Sequence, residues 1–72
     1  MPKLPLLSGT DIVKALERLG FVRLRQRGSH VVLRGPWGGC VVPLHKEVKT
    51  GTLAGLLRQA GVSHDDFLAA LK

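Results

Sequence analysis

The chain has one cysteine, Cys40, no tyrosine, an aromatic fraction of 4% and only five acidic residues among its 72. Each scarcity excludes something. A lone cysteine cannot close an internal disulfide, and small extracellular domains without a large core usually depend on several. An intracellular, cytoplasmic setting is therefore expected. Structural zinc needs about four ligands at regular spacing, which Cys40 and the scattered His30, His45 and His64 do not supply. Neither a metal nor any other cofactor is expected. Four of the five acids fall in helical patterns, so the carboxylate pair used in glycoside hydrolysis has no source. The longest run without Asp, Glu, Lys or Arg is Gly35 to His45, 11 residues with two prolines and three glycines. A spanning helix needs about 20 apolar residues, so no membrane partner is expected. Prolines also break the opening Met1-Pro2-Lys3-Leu4-Pro5-Leu6-Leu7, and a capped helix follows at once, unlike a signal peptide.

What is present points to a folded, basic domain. The apolar fraction of 44% is that of a globular chain, and 72 residues suffice for a single domain, 1–72, with no enclosed substrate cavity. Eleven Lys and Arg against five Asp and Glu give +6. Six of those cations and one acid lie between Phe21 and Lys49, so nearly all the excess is local. A local patch predicts an anionic partner better than a diffuse excess does.

The periodicities divide the chain into helix, three-stranded meander, helix and short helix. Ser8-Gly9-Thr10-Asp11 has the form of a capping box, and Ile12, Ala15, Leu16 and Leu19 follow at helical spacing up to Gly20. Phe21 to Arg27 alternates with period two, Gly28-Ser29 reads as a type II′ turn, and His30 to Arg34 resumes the alternation. Gly35 to Gly39 turns into a third strand, Cys40 to Leu44, placed at a sheet edge because Pro43 cannot donate to a ladder. Thr50-Gly51-Thr52 opens a second helix with Leu53, Leu56, Leu57 and Ala60 on one side, ended by Gly61. Ser63 to Asp66 caps a short third helix carrying Phe67, Leu68 and Leu71 inward. The expected class is α+β, with the helices on one face of an antiparallel sheet.

A two-residue turn at Gly28-Ser29 sets Arg27 opposite His30, Arg25 opposite Val32 and Arg23 opposite Arg34, all on one face. Val22, Leu24, Val31 and Leu33 are then expected on the other, against the helices. If Gly35 pairs with Cys40, His30 falls beside His45. The open face would hold four arginines and two histidines. Like charges on adjacent strands cost roughly 0.2–1 kcal/mol per pair, and neither strand carries an acid. Phosphate, which matches the guanidinium fork, is the natural counter-charge. Lys49, Thr50 and Thr52 at the start of the second helix form a further anion site, with Thr50 alternatively an ordinary cap.

A chain too small for a pocket can still cleave RNA, because the 2′-hydroxyl is a nucleophile already beside its phosphate. The protein needs to add a base and positive charge. His30 is the candidate general base or acid, since imidazole is the side-chain type suited to proton transfer near neutrality. Arg25, Arg27 and Lys49 are candidate phosphate contacts, with Arg23, Arg34 and His45 on the same surface and Ser29 shaping the turn. A non-catalytic RNA-binding module would use the same face for A-form shape, and an interaction subunit would use it for an acidic protein.

Gln26-Arg27-Gly28-Ser29-His30, Val42-Pro43-Leu44-His45, Lys49-Thr50-Gly51-Thr52-Leu53 and Leu57 to Ser63 resemble the HicA (YcfA-like) messenger RNA interferase toxins. The resemblance runs from Ser8 to Leu71. It implies a fold like the double-stranded-RNA-binding domain and a ribonuclease acting on mRNA whose catalytic histidine corresponds to His30. It further implies a HicB-type antitoxin that covers the site.

Overall fold

The computed structural model describes residues 3–72. Met1 and Pro2, which begin the proline-broken opening segment, lie outside the described residues. The elements are α1 (Gly9–Arg18), β1 (Val22–Arg27), β2 (His30–Arg34), β3 (Gly39–Pro43), α2 (Thr50–Ala60) and α3 (His64–Ala70). The sheet is antiparallel in the order β1-β2-β3. This is the α+β meander expected from the periodicities, with β3 at an edge.

The helices begin and end where local chemistry requires. The Ser8 hydroxyl accepts from the Asp11 amide (3.1 Å), satisfying one of the unpaired donors at the start of α1. Ser63 does the same for α3 through Asp66 (3.1 Å). Gly61 closes α2 in the left-handed conformation (φ 73°). Arg18 Nη1 donates to the carbonyls of Ala70 (2.8 Å) and Lys72 (3.3 Å), tying the end of α1 to that of α3.

The core lies between the helices and one face of the sheet. Val31, Leu33, Cys40 and Val42 point inward from β2 and β3 and meet Ile12, Leu16, Leu53, Leu57 and Phe67. Burial pushes the Cys40 thiol up, so it stays protonated as a small core side chain.

Two features of the sheet depart from the expected register. In the first hairpin, Arg27 faces His30 and Arg25 faces Val32, but Arg23 faces Leu33 and Val22 faces Arg34. Leu24 is the extra residue of a β-bulge, which reverses the alternation beyond it. Val22 and Leu24, expected in the core, are accordingly 62% and 57% exposed. The helices lie against β3, and β1 is exposed along its whole length, so nothing is positioned to bury those two side chains. In the second hairpin the Gly35 amide donates to the Gly38 carbonyl (2.8 Å), leaving only Pro36 and Trp37 outside the pairing. The register tightens by two residues: Arg34 pairs with Gly39, Val32 with Val41 and His30 with Pro43. Because the shift is even, every side chain keeps its expected face. His30 is nevertheless paired with Pro43 and not with His45.

Residues flanking the sheet lock the connection from β3 to α2. Val48 donates to the Leu7 carbonyl (2.7 Å), and the Gly9 amide donates to that of His45 (2.9 Å). Gly9 is buried, and a β-carbon there would run into the Pro43 carbonyl and the Leu44 backbone. Gly9→Ala should therefore cost about 1–3 kcal/mol through overpacking, read as a lower urea midpoint. Leu33→Ala, which empties a fully buried position, should cost about 2–5 kcal/mol.

Candidate functional site

The candidate site is built on the β1–β2 hairpin. Gly28 has φ 58°, and no non-glycine residue among those described has positive φ. Positive φ at the first central position alone is the type II′ pattern, whose twist suits a two-residue hairpin. The turn is held on both sides. Gln26 Nε2 donates to the Gly28 carbonyl (3.0 Å), and the Ser29 carbonyl accepts from the Leu44 amide (2.6 Å). Ser29 thus acts through its backbone. His30 follows directly as the first residue of β2 and is exposed.

Alternation then distributes the remaining groups. His30, Val32 and Arg34 share the open face because Val31 and Leu33 are buried. The ladder adds Arg27 beside His30 and Arg25 beside Val32. All of these arginines are exposed. One end of the open face therefore presents an imidazole next to the arginine that pairs with it, with Arg25 one step farther along. The other end carries Arg34.

Arg23 does not join this row. The bulge turns it to the register position of Leu33, and its Nη2 lies 4.0 Å from Glu17 Oε1 of α1. The counter-charge missing from both strands is thus supplied to Arg23 by a helix. Neither strand pattern signals that contact, because it depends on the bulge.

The remaining candidates lie elsewhere. His45 is exposed, two residues beyond the partner of His30, and its carbonyl is engaged by Gly9. Lys49 is the N-cap of α2, and no side chain bonds the first amides of that helix. Thr50 is therefore its first residue and not its cap, a correction to the capping alternative. Thr50 lines an open depression of about 600 Å³ with Lys3, Gly51 and His64. No hairpin residue lines it. Thr52 is exposed on the same first turn. The sequence reading missed Lys3 in this setting, since only the fold returns the opening segment to α2. Among the described residues, no three His, Cys, Asp or Glu side chains converge as metal ligands.

A helix, a three-stranded meander and a helix, with an imidazole and arginines on the open sheet face, define a small α+β domain with a basic open face. A model of the family described as HicA toxin of bacterial toxin-antitoxin matches residues 9–62, three quarters of the chain. The chain belongs to the HicA toxin family. No curated protein matches the sequence. Membership makes it a toxin component whose system includes an antitoxin.

Gln26 is a clear test of how the turn is held. Gln26→Ala and Gln26→Glu both remove the donor to Gly28. Each should lower stability by about 0.5–1 kcal/mol, the net worth of an exposed hydrogen bond, in urea unfolding at constant m. Stability equal to wild type in both would show that the bond is idle.

Proposed function

We propose that this toxin is an endoribonuclease that cleaves messenger RNA on the open face of its sheet without a metal ion. His30 acts as the general acid or base, and a HicB-type antitoxin neutralises the protein. The observation that carries this reading is the placement of an exposed His30 at the mouth of a braced turn, paired with Arg27 and followed by Arg25 on the same face.

The chemistry needs no more than these groups. His30 takes the proton of the 2′-hydroxyl, whose oxygen attacks the adjacent phosphorus. The bond from phosphorus to the 5′-oxygen breaks, that oxygen takes a proton from water, and the imidazolium returns to solvent the proton it gained. The products are a 2′,3′-cyclic phosphate and a 5′-hydroxyl. Arg27 and Arg25 compensate the charge that accumulates on the phosphorane, where fixed cations contribute most. Arg34 and the α2 start, with Lys49, Thr50 and Thr52, meet phosphates farther along the strand. Arg23, whose guanidinium lies near Glu17, is left with a supporting part. Since the nucleophile belongs to the substrate, an open surface suffices. Messenger RNA as substrate places the site of action in the cytoplasm.

Purified protein should cut RNA equally well with and without EDTA, and His30→Ala should lower the rate about 10²–10⁴-fold, the range for a lost acid–base group. Full cleavage by His30→Ala, or its loss with the chelator, would refute the mechanism. Arg27→Ala should weaken RNA binding and reduce the slope of log K against log salt by about 0.7, the share of one phosphate contact on a single strand.

A further inference from the structure

The open face is divided along its strands. His30 and Arg27 occupy one end. Toward the other end lie Val22 and Leu24, 62% and 57% exposed, and Val41, 42% exposed, stands on the middle rung opposite Val32. Leu24, Val32, Arg34 and Val41 line a shallow groove of about 250 Å³. His30 and Arg34 are four residues apart on β2, roughly 13 Å at the usual strand rise. Exposed aliphatic side chains gathered in a groove mark an interaction surface.

We infer that this apolar end is a docking site for an acidic protein partner that inserts apolar side chains into the groove, and that the partner is the antitoxin. The face itself chooses among possible occupants. Nucleic acid stacks on aromatic platforms, whereas these groove walls are chiefly aliphatic and offer no aromatic face, with Arg34 and Gln59 as their hydrogen-bonding side chains. A second copy docked face to face would set Arg25, Arg27 and Arg34 of one molecule against the same arginines of the other, with no acid on either face. A partner with carboxylates around apolar anchors satisfies both the arginines and the groove. Strand addition at the β1 edge is opposed by its bulge and its arginines, which protect edges from pairing. The docking site then adjoins the cleavage site on one face and shares Arg34 with it, an assignment that rests on the ribonuclease reading for its second half.

The test is a double variant, Leu24→Ser/Val41→Ser, which alters exposed side chains only. Calorimetric titration with the purified cognate antitoxin should show Kd raised about tenfold or more, while RNA cleavage stays within about twofold of wild type. Unchanged Kd overturns the proposal. So does a fall in RNA affinity with antitoxin affinity intact, which would make the groove a nucleic-acid site. Wild-type dimers in sedimentation that the variant dissolves would overturn it in favour of a second copy. If the double variant melts early, Leu24→Ser alone answers the same question. If neither protein cuts RNA, the ribonuclease reading fails, and the Kd comparison still decides the docking site.

Discussion

The alternation of the central strand is the constraint on which the rest of the molecule depends. Val31 and Leu33 are fully buried against the helical layer, so His30, Val32 and Arg34 have no choice but the open face. A slip of one residue would reverse this, burying an imidazole and a guanidinium without partners. The burial of two aliphatic side chains therefore fixes the side on which the basic groups stand. The same burial explains why the two-residue shift of β3 is harmless to the site: an even shift preserves the faces and changes only which residues lie side by side.

Electrostatics on that face is arranged by subtraction as much as by addition. A regular β1 would have set Arg23 against Arg34. The bulge at Leu24 breaks that pair, sends Arg23 toward Glu17 and leaves Val22 beside Arg34. Positive charge is thus kept around His30 and thinned at the far end, where aliphatic groups replace it. One irregular residue leaves Val22 and Leu24 exposed near Arg34 at the far end of the face. A chain of this size has no interior for a substrate, so any site it carries lies on its surface.

Fixing the loop after β3 matters for the same reason. Gly9 and Leu7 hold His45 and Val48 by main-chain hydrogen bonds, so the connection to α2 is set by backbone groups while the side chains of His45 and Lys49 stay free. The unfilled amides at the start of α2 face the returning N-terminal segment. Brace and candidate site are therefore separate: the main chain carries the geometry and the exposed side chains remain outside it.

Much of this was legible from residues alone because it depends on neighbours in sequence. Ser8 and Ser63 announce their helices, Gly28-Ser29 sets the turn, and the alternation of Val31 and Leu33 places His30 and Arg34 together. The pairing of Arg27 and Arg25 follows from a turn two residues long, so the heart of the candidate site needed no tertiary information. The fate of Arg23, Val22 and Leu24 was not legible, because a bulge is a compromise between strand twist and the extent of the helical layer, and neither is written in a strand's own pattern. The distance between His30 and His45 was likewise decided by how tightly Gly35 closes on Gly38. Local periodicity determined which residues form the open face; only the packing of helices over β3, with β1 left uncovered, decided which of them stay on it and which apolar groups join them.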